Sequence, residues 1–444
     1  MRESTGSFME NLRWKAFFML DKRKGGFIGN RFEQVKTAYR IGTSMADTKA
    51  RIRQLIDHAV ATTDFYKPYG PGAELQDLPV VNKTIFKEQY EAFQSSRYKG
   101  AEGNRIMSTS GSTGTPFAMI QNKEKASSNT ADSIFMGTLA NYFIGQKQAF
   151  VRVWVNNVKK SKLRLMMENS MMIDSSSLKD ERLEEITQLL IKGKVRCLVG
   201  YASALGELGA YIKRQGVDPK KFRISSVIPI SENMPVGTRR MLSELFDAPV
   251  RSWYSNEENG IMGVQTDDED EAYYINSESY YYEILKMDSD EPAEDGELGR
   301  IVITDLTNYA FPVIRYDNGD TAVACHEDMG DGRFRLFLKE LYGRRSDLIY
   351  DTKGRAVTPY LITNNMWDVA GVDQFRFIQK DVKDYELRLN GDQDKMDIAD
   401  MLGRIRPTLG EDANIDVVFV DEIPVLASGK RKYIENICPA YKGR

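Results

Sequence analysis

The stretch Ser108-Thr109-Ser110-Gly111-Ser112-Thr113-Gly114-Thr115-Pro116 holds only serine, threonine and glycine before its closing proline. Hydroxyl donors, combined with glycines that let backbone N–H groups approach an anion, are what a phosphate-binding loop requires. No Gly-Lys-[Ser/Thr] sequence closes the stretch, so it is not a Walker-type loop. Taken alone, the same composition also suits a surface linker. A protein nucleophile is hard to place. The two histidines, His58 and His326, sit in no Ser/His/Asp-like pattern, and Cys325-His326 has no partner at metal-ligand spacing.

Five further segments follow in order. They are Ile230-Ser231-Glu232-Asn233, Trp253-Tyr254-Ser255-Asn256-Glu257-Glu258, Tyr316-Asp317-Asn318-Gly319-Asp320, Gly343-Arg344-Arg345-Ser346-Asp347, and Pro424 with Ser428-Gly429-Lys430. With the Ser/Thr/Gly loop they resemble the adenylate-forming superfamily of acyl-CoA synthetases, peptide-synthetase adenylation domains and luciferases. The closer likeness is to the phenylacetate-CoA ligase branch with its CapK-like relatives. It is carried by Phe65-Tyr66-Lys67, Leu78-Pro79-Val80-Val81-Asn82-Lys83, Gly200-Tyr201-Ala202-Ser203 and Asp295-Gly296-Glu297-Leu298-Gly299-Arg300-Ile301-Val302-Ile303-Thr304, and it spans about residues 60 to 435.

The resemblance implies roles. Ser110, Gly111, Ser112, Thr113, Gly114 and Thr115 would cradle the phosphates of ATP, and Ser231 and Glu232 would line adenine with Tyr254 lying against it. Glu258 would help hold Mg2+, Asp320 would accept hydrogen bonds from the ribose hydroxyls, and Arg344 would contact the nucleotide. Ser346 would occupy the pivot of a hinge, and Lys430 would bridge carboxylate and α-phosphate. Departures from the family pattern are Phe117, where many such loops carry lysine, and Ser255, which replaces a glycine beside Tyr254. Some members of the branch carry a zinc site near the segment matching residues 262 to 275, but no Cys or His stands there, so no zinc is expected.

These residue types suit the reaction. A carboxylate is a poor acyl donor because its leaving group would be oxide, and attack on the α-phosphate of ATP converts it into a mixed anhydride with AMP as leaving group. Two anions must meet. In the roles the resemblance implies, Lys430 would offset their repulsion as a compact charge, while Mg2+ at Glu258 and the donors of Ser110 to Thr115 would stabilise the developing pyrophosphate. The expected function is therefore an AMP-forming acid ligase that uses ATP and Mg2+ and passes the acyl group to an acceptor, CoA by expectation. One alternative is a CapK-like amide- or ester-forming ligase of capsular polysaccharide synthesis. Another is a non-catalytic nucleotide-binding scaffold, against which the joint presence of Glu258, Asp320, Arg344 and Lys430 argues. The acid pocket is expected to draw on Tyr201, Ile230 and Trp253 beside Tyr254, an apolar lining suited to aryl or medium acyl groups.

The elements that must position these groups read as α/β. Residues 8 to 65 show helical apolar spacing, with Ile52, Leu55, Ile56 and Ala59 on one face. Beyond Pro68 and Pro71, short β-like runs (149–155, 195–199, 226–230, 249–253, 280–285, 300–304) alternate with amphipathic segments such as 182–192 and 234–246. The acidic run Asp267-Asp268-Glu269-Asp270-Glu271 reads as a solvated turn. A composition shift after Tyr342 predicts a large ATP- and acyl-binding domain over 1–343 and a small lid domain over 344–444, with its own apolar run 415–420 and a hinge at 344–347.

Composition excludes other classes. The 444 residues are enough for a sizeable core, and 61 Lys+Arg against 64 Asp+Glu leave a net charge of -3, without the basic footprint of nucleic-acid binders. Three scattered cysteines give no disulfide framework. The apolar run 16–20 is too short for a signal-peptide core, and no uncharged stretch approaches the roughly 18–20 residues that cross a bilayer, so a cytoplasmic protein is expected. A basic first helix with its aromatic stripe Trp14, Phe17 and Phe18 is expected to pack that stripe inward, with a membrane-lying helix as the alternative. A homodimer is compatible with the resemblance.

Overall fold

The computed structural model describes residues 7–108, 118–153, 161–267, 271–345, 348–357, 359–367, 369–424 and 432–441. Three helices open the chain, as their spacing predicts: α1 (Phe8–Arg23), α2 (Phe27–Ile41) and, after the short strand β1 (Thr43–Ser44), α3 (Met45–Thr62). Ser7 and Glu10 form a reciprocal cap on α1, and the Ser44 side chain caps α3. The face of α3 read from the sequence is buried, Leu55 and Ala59 completely.

Strand β2 (Val81–Asn82) leads into α4 (Lys83–Glu88), whose first turn is held by the Asn82 side chain accepting from the N–H groups of Thr84 and Ile85. An antiparallel pair follows, β3 (Arg105–Ser108) and β4 (Ala118–Gln121), and then α5 (Lys123–Leu139).

Next comes the alternating unit: β5 (Gln148–Arg152), α6 (Lys162–Met167), β6 (Ser170–Asp174), α7 (Asp180–Gly193), β7 (Cys197–Tyr201), α8 (Ala202–Arg214), β8 (Ser226–Ile230) and α9 (Val236–Phe246). The four strands are parallel, in the order β6-β5-β7-β8. Every residue of β7 is buried, which is why these strands show as continuous apolar runs rather than alternating ones. Leu183, Ile186 and Leu190 of α7 and Leu205, Leu208 and Ile212 of α8 join Leu198 and Val227 in one core.

An antiparallel sheet follows, formed by β9 (Trp253–Asn256), β10 (Gly260–Gln265), β11 (Tyr273–Ile275), β12 (Tyr280–Leu285), β13 (Leu298–Asp305), β14 (Tyr316–Gly330) and β15 (Arg333–Arg344). Its order is β12-β13-β14-β15-β11-β10-β9, with β1 on β15 and β2 on β14. The expected strand 249–253 is split. Val250 makes an isolated bridge to Val227, and the strand proper begins at Trp253.

The last part holds β16 (Ile349–Tyr350), β17 (Ala356–Val357), α10 (Pro359–Trp367), β18 (Val372–Gln379), β19 (Asp384–Gly391), α11 (Ile398–Leu409), β20 (Asn414–Phe419) and β21 (Ile434–Asn436). A sheet in the order β20-β19-β18-β21 encloses its own core around Phe377, Tyr385, Leu387, Met401 and Ile405. The architecture is thus α/β, with a large N-terminal part and a smaller C-terminal one, as the sequence predicts. Among the described residues no helix is long and apolar enough to cross a membrane.

Candidate active site

The parallel strands β5, β6, β7 and β8 end at Arg152, Asp174, Tyr201 and Ile230, and open α/β sheets take their ligands beyond such carboxyl ends. Just past Ile230, Ser231 is held at φ 67°, a left-handed conformation that costs a non-glycine residue energy. The next residue, Glu232, accepts a hydrogen bond at 2.8 Å from the N–H of Ser203, in the first turn of α8, where the helix favours a negative charge. Glu232 is therefore fixed by the start of a helix. Burial pushes the Tyr201 phenol up, opposed by Arg152, which is also its hydrogen-bond partner, while Glu232 and Glu257 push the same way as burial. Arg152, Glu232 and Glu257 thus act on Tyr201, three charged neighbours beside a residue that the sequence places in an apolar lining.

A second group sits on the long hairpin. Asp320 of β14 and Arg344 of β15 are paired directly across the sheet, with Arg344 Nε 3.4 Å from Asp320 Oδ1. The other carboxylate oxygen accepts from the Tyr254 hydroxyl at 2.9 Å and from Asn318 Nδ2 at 3.3 Å, and Asn318 also donates to the Tyr254 oxygen at 2.7 Å. Burial holds the Asp320 carboxyl above its usual value, against the opposing pull of Arg344. Arg344 also donates to the Asn318 carbonyl at 2.6 Å. Its neighbour Arg345 lies 3.6 Å from Asp317, which Arg300 contacts at 2.9 Å. Two consecutive arginines at the expected hinge are latched to the segment 317–320.

Glu258 lies buried in the turn joining β9 to β10. Lys83, the first residue of α4, reaches its Oε1 at 2.9 Å. The turn's backbone is held from below. Lys125, completely buried on α5, donates to the Asn259 carbonyl at 2.7 Å and pairs with the equally buried Asp305 at 2.5 Å. The Tyr280 hydroxyl also donates to that carbonyl, and Asp305 accepts from the Thr307 N–H and hydroxyl at 2.9 and 2.7 Å. Gly260 leaves the turn at φ 101°, and a Cβ there would meet Asn129 Oδ1 at 2.9 Å, so only glycine fits.

Not every expected residue joins this group. Trp253 and Tyr254 are consecutive strand residues and point to opposite faces. Tyr254 belongs to the antiparallel core with Tyr273 and Tyr282, whereas Trp253 packs with Ile230 against Ala140, Tyr142, Val199 and Ile228. Ser110, Gly111, Ser112, Thr113, Gly114, Thr115, Ser346 and Lys430 lie outside the described residues. Lys83, Lys125, Asp305, Asn318 and Arg152, to which the sequence assigns no role, contact the candidate residues or the turn that carries them. Nothing in a single sequence marks Lys125, because lysine is almost always a surface residue.

Among the described residues no group of three His, Cys, Asp or Glu side chains could hold a metal ion. That does not disqualify Glu258 for Mg2+, which is commonly bound by one or two carboxylates together with substrate phosphates.

The fold is that of the adenylate-forming CoA ligases. At 16% identity, 90% of the chain overlays 91% of 2-hydroxyisobutyryl-CoA ligase in its postadenylation state with 2-HIB-AMP, at a TM-score of 0.71. The same ligase with 2-HIB-AMP and CoA in the thioesterification state gives 0.57, at 17% identity and 90% and 92% coverage. An anthranilate CoA ligase with anthranoyl-AMP gives 0.53 at 13% identity, over 73% of this chain and 65% of that one. Residues 349–437 match the family model of the CapK C-terminal domain. In sequence, the chain is 25% identical over 157 residues to phenylacetate-coenzyme A ligase of Thermus thermophilus, and that match spans 35% of each protein, about a third of the relative's length.

Proposed function

We propose that the chain is an AMP-forming ligase that joins a carboxylic acid to AMP and then transfers the acyl group to the thiol of CoA. The observation that carries this reading is the Tyr254–Asp320–Arg344 cluster, which shares one sheet with the Glu258 turn. A carboxylate already supplied with hydrogen bonds, beside a half-exposed guanidinium, suits a ribose and a phosphate, while the buried Glu258 supplies the negative charge that a cation on the phosphates needs. In this reading Asp320 accepts the ribose hydroxyls, Arg344 meets the nucleotide, and Ser110 to Thr115 cradle the phosphates. Ser231 and Glu232 flank the base, and Lys430 joins carboxylate to α-phosphate. Mg2+ would be held by Glu258 and would neutralise phosphate charge. Lys83 adds a second cation beside that carboxylate.

The proposed boundary lies at the end of β15, with 1–343 as the large domain and 344–444 as the lid, turning about 344–347 between the two half-reactions. The higher overlay with the postadenylation state than with the thioesterification state of the same ligase supports an arrangement belonging to the first half-reaction. A second reading, a CapK-like ligase that passes the acyl group to an amine or hydroxyl through the same adenylate chemistry, rests on the CapK C-terminal match alone.

The test is carboxylate-dependent exchange of pyrophosphate into ATP across aryl, fatty, amino and uronic acids. Exchange with one class is expected, and silence across the panel from a folded chain that binds ATP would overturn the reading. Release of AMP on adding CoA, but not amino sugars, separates the two acceptors.

The raised Asp320 carboxyl adds a pH prediction. Ribose binding needs the ionised form, so ATP affinity falls as pH drops through the folded-state pKa. Arg344 opposes the upward push of burial, so Arg344→Met moves that fall to higher pH as well as weakening binding. Calorimetric ATP titrations from neutral to mildly acidic pH read the midpoint directly, and identical midpoints in the two proteins would refute the coupling.

A further inference from the structure

Among the described residues, every large apolar side chain more than half exposed, Ile106 apart, lies on α1, on α6 or at the first residue of α2. On α1 the exposed residues Phe8, Leu12, Lys15, Met19 and Lys22 recur at i, i+4, i+7, i+11 and i+14, which is one continuous helical face. The opposite face carries the aromatic stripe read from the sequence. Trp14 and Phe18 pack on Phe32 at centroid distances of 6.0 and 5.7 Å, and Trp14 also meets Phe143. The stripe does pack inward, but α1 is apolar on both sides, and among the described residues its outer face is left exposed.

The exposed charges around that face are all basic. Lys15, Lys22, Arg23 and Lys24 are exposed. The two acids of the segment are committed to backbone: Glu10 accepts from the Ser7 N–H at 2.7 Å, and Asp21 from the N–H groups of Ile28 and Gly29 at 3.2 and 2.8 Å. Helix α6 likewise exposes Leu163, Met166 and Met167 beside Lys162 and Arg164, the latter paired with Glu168 at 2.7 Å. Both helices flank the loop at Gly145. A Cβ at that glycine would meet Glu10 and Arg13 of α1, and its carbonyl accepts from Asn169, two residues beyond α6, at 2.9 Å.

The geometry points to a lipid-docking face: α1 and α6 lay their apolar side chains into the headgroup region of an anionic membrane while their lysines and arginines meet lipid phosphates. Apolar anchors ringed by cations are what an interfacial helix needs, and lysine stems extend apolar contact while their ends reach the phosphates. The excess of cations is local, since the whole chain carries a net charge of -3. A second copy of the chain is the weaker occupant, because it would set Lys15 and Lys22 against like charges.

The test is co-sedimentation of the full chain with vesicles of phosphatidylglycerol and phosphatidylcholine in equal parts, against phosphatidylcholine alone, at low and high salt. The wild type is expected to bind the anionic vesicles about tenfold or more tightly than the neutral ones, and to lose that preference at high salt. Leu12→Glu with Met19→Glu, and separately Lys15→Glu with Lys22→Glu, are each expected to weaken binding at least about tenfold at unchanged melting temperature and unchanged pyrophosphate exchange. Equal binding to both vesicles, or binding indifferent to both double substitutions, would overturn the proposal. So would a wild-type dimer in sedimentation velocity that Leu12→Glu with Met19→Glu converts to monomer, which would give the face to a second copy.

Discussion

Glu258→Gln is expected to lower carboxylate-dependent pyrophosphate exchange by about a hundredfold, equivalent to about 2.7 kcal/mol of lost transition-state stabilisation. Glutamine has the shape of glutamate, so the turn between β9 and β10 keeps its backbone contacts to Lys125 and Tyr280. Only the charge goes. Without it the proposed Mg2+ would lose the carboxylate that holds it, and Lys83, 2.9 Å away, loses this ionic contact. The half-saturating Mg2+ concentration should therefore rise along with the loss of rate, while the melting temperature stays close to wild type because the Lys83 side chain is 30% exposed and can be hydrated. Exchange within about threefold of wild type at saturating Mg2+ would remove Glu258 from the proposed site.

The Tyr254–Asp320–Arg344 cluster draws its precision from a feature that the sequence does not show. Asp320 reads in isolation as a Gly-Asp turn residue, yet it stands inside a strand of 15 residues. Asn318, Gly319 and Asp320, then His326, Glu327 and Asp328, leave only the short run 321–325 between them, so the sequence pattern does not show a strand of this length. What holds the strand is its partner: β15 pairs along nearly its whole length and delivers Arg344 opposite Asp320. The motifs located both residues, but only the register makes them neighbours. By contrast, β7 and β8 were legible because burial on both faces leaves an unbroken apolar run. Trp253 and Tyr254 show the opposite failure. Adjacent in sequence and both aromatic, they read as one lining, whereas strand alternation packs them into different clusters.

The register also ties the proposed hinge to the nucleotide cluster. Arg344 and Arg345 end the large sheet and reach Asp320 and Asp317, so a turn of the C-terminal part about 344–347 pulls on the residues proposed to hold the ribose. Nucleotide that engages Asp320 competes for the same guanidinium. In the proposed reading this would couple binding to domain position through two ion pairs rather than through a long path.

Lys125→Met is expected to destabilise the chain by about 3–5 kcal/mol, since it leaves Asp305 charged and buried without its partner. Both side chains are fully buried, and no water reaches the carboxylate to replace the ammonium. Unfolding by urea, followed by tryptophan fluorescence, would show the loss as a lower midpoint. Adding Asp305→Asn removes the orphaned charge and should restore most of that midpoint. Exchange activity should not return with it. The Asn259 carbonyl, one residue beyond Glu258, accepts from Lys125 at 2.7 Å, and neither methionine nor a distant asparagine can supply that donor. A double variant that is stable but slow would show that the buried pair holds the turn in place for chemistry, whereas full recovery of both would confine Lys125 to the fold.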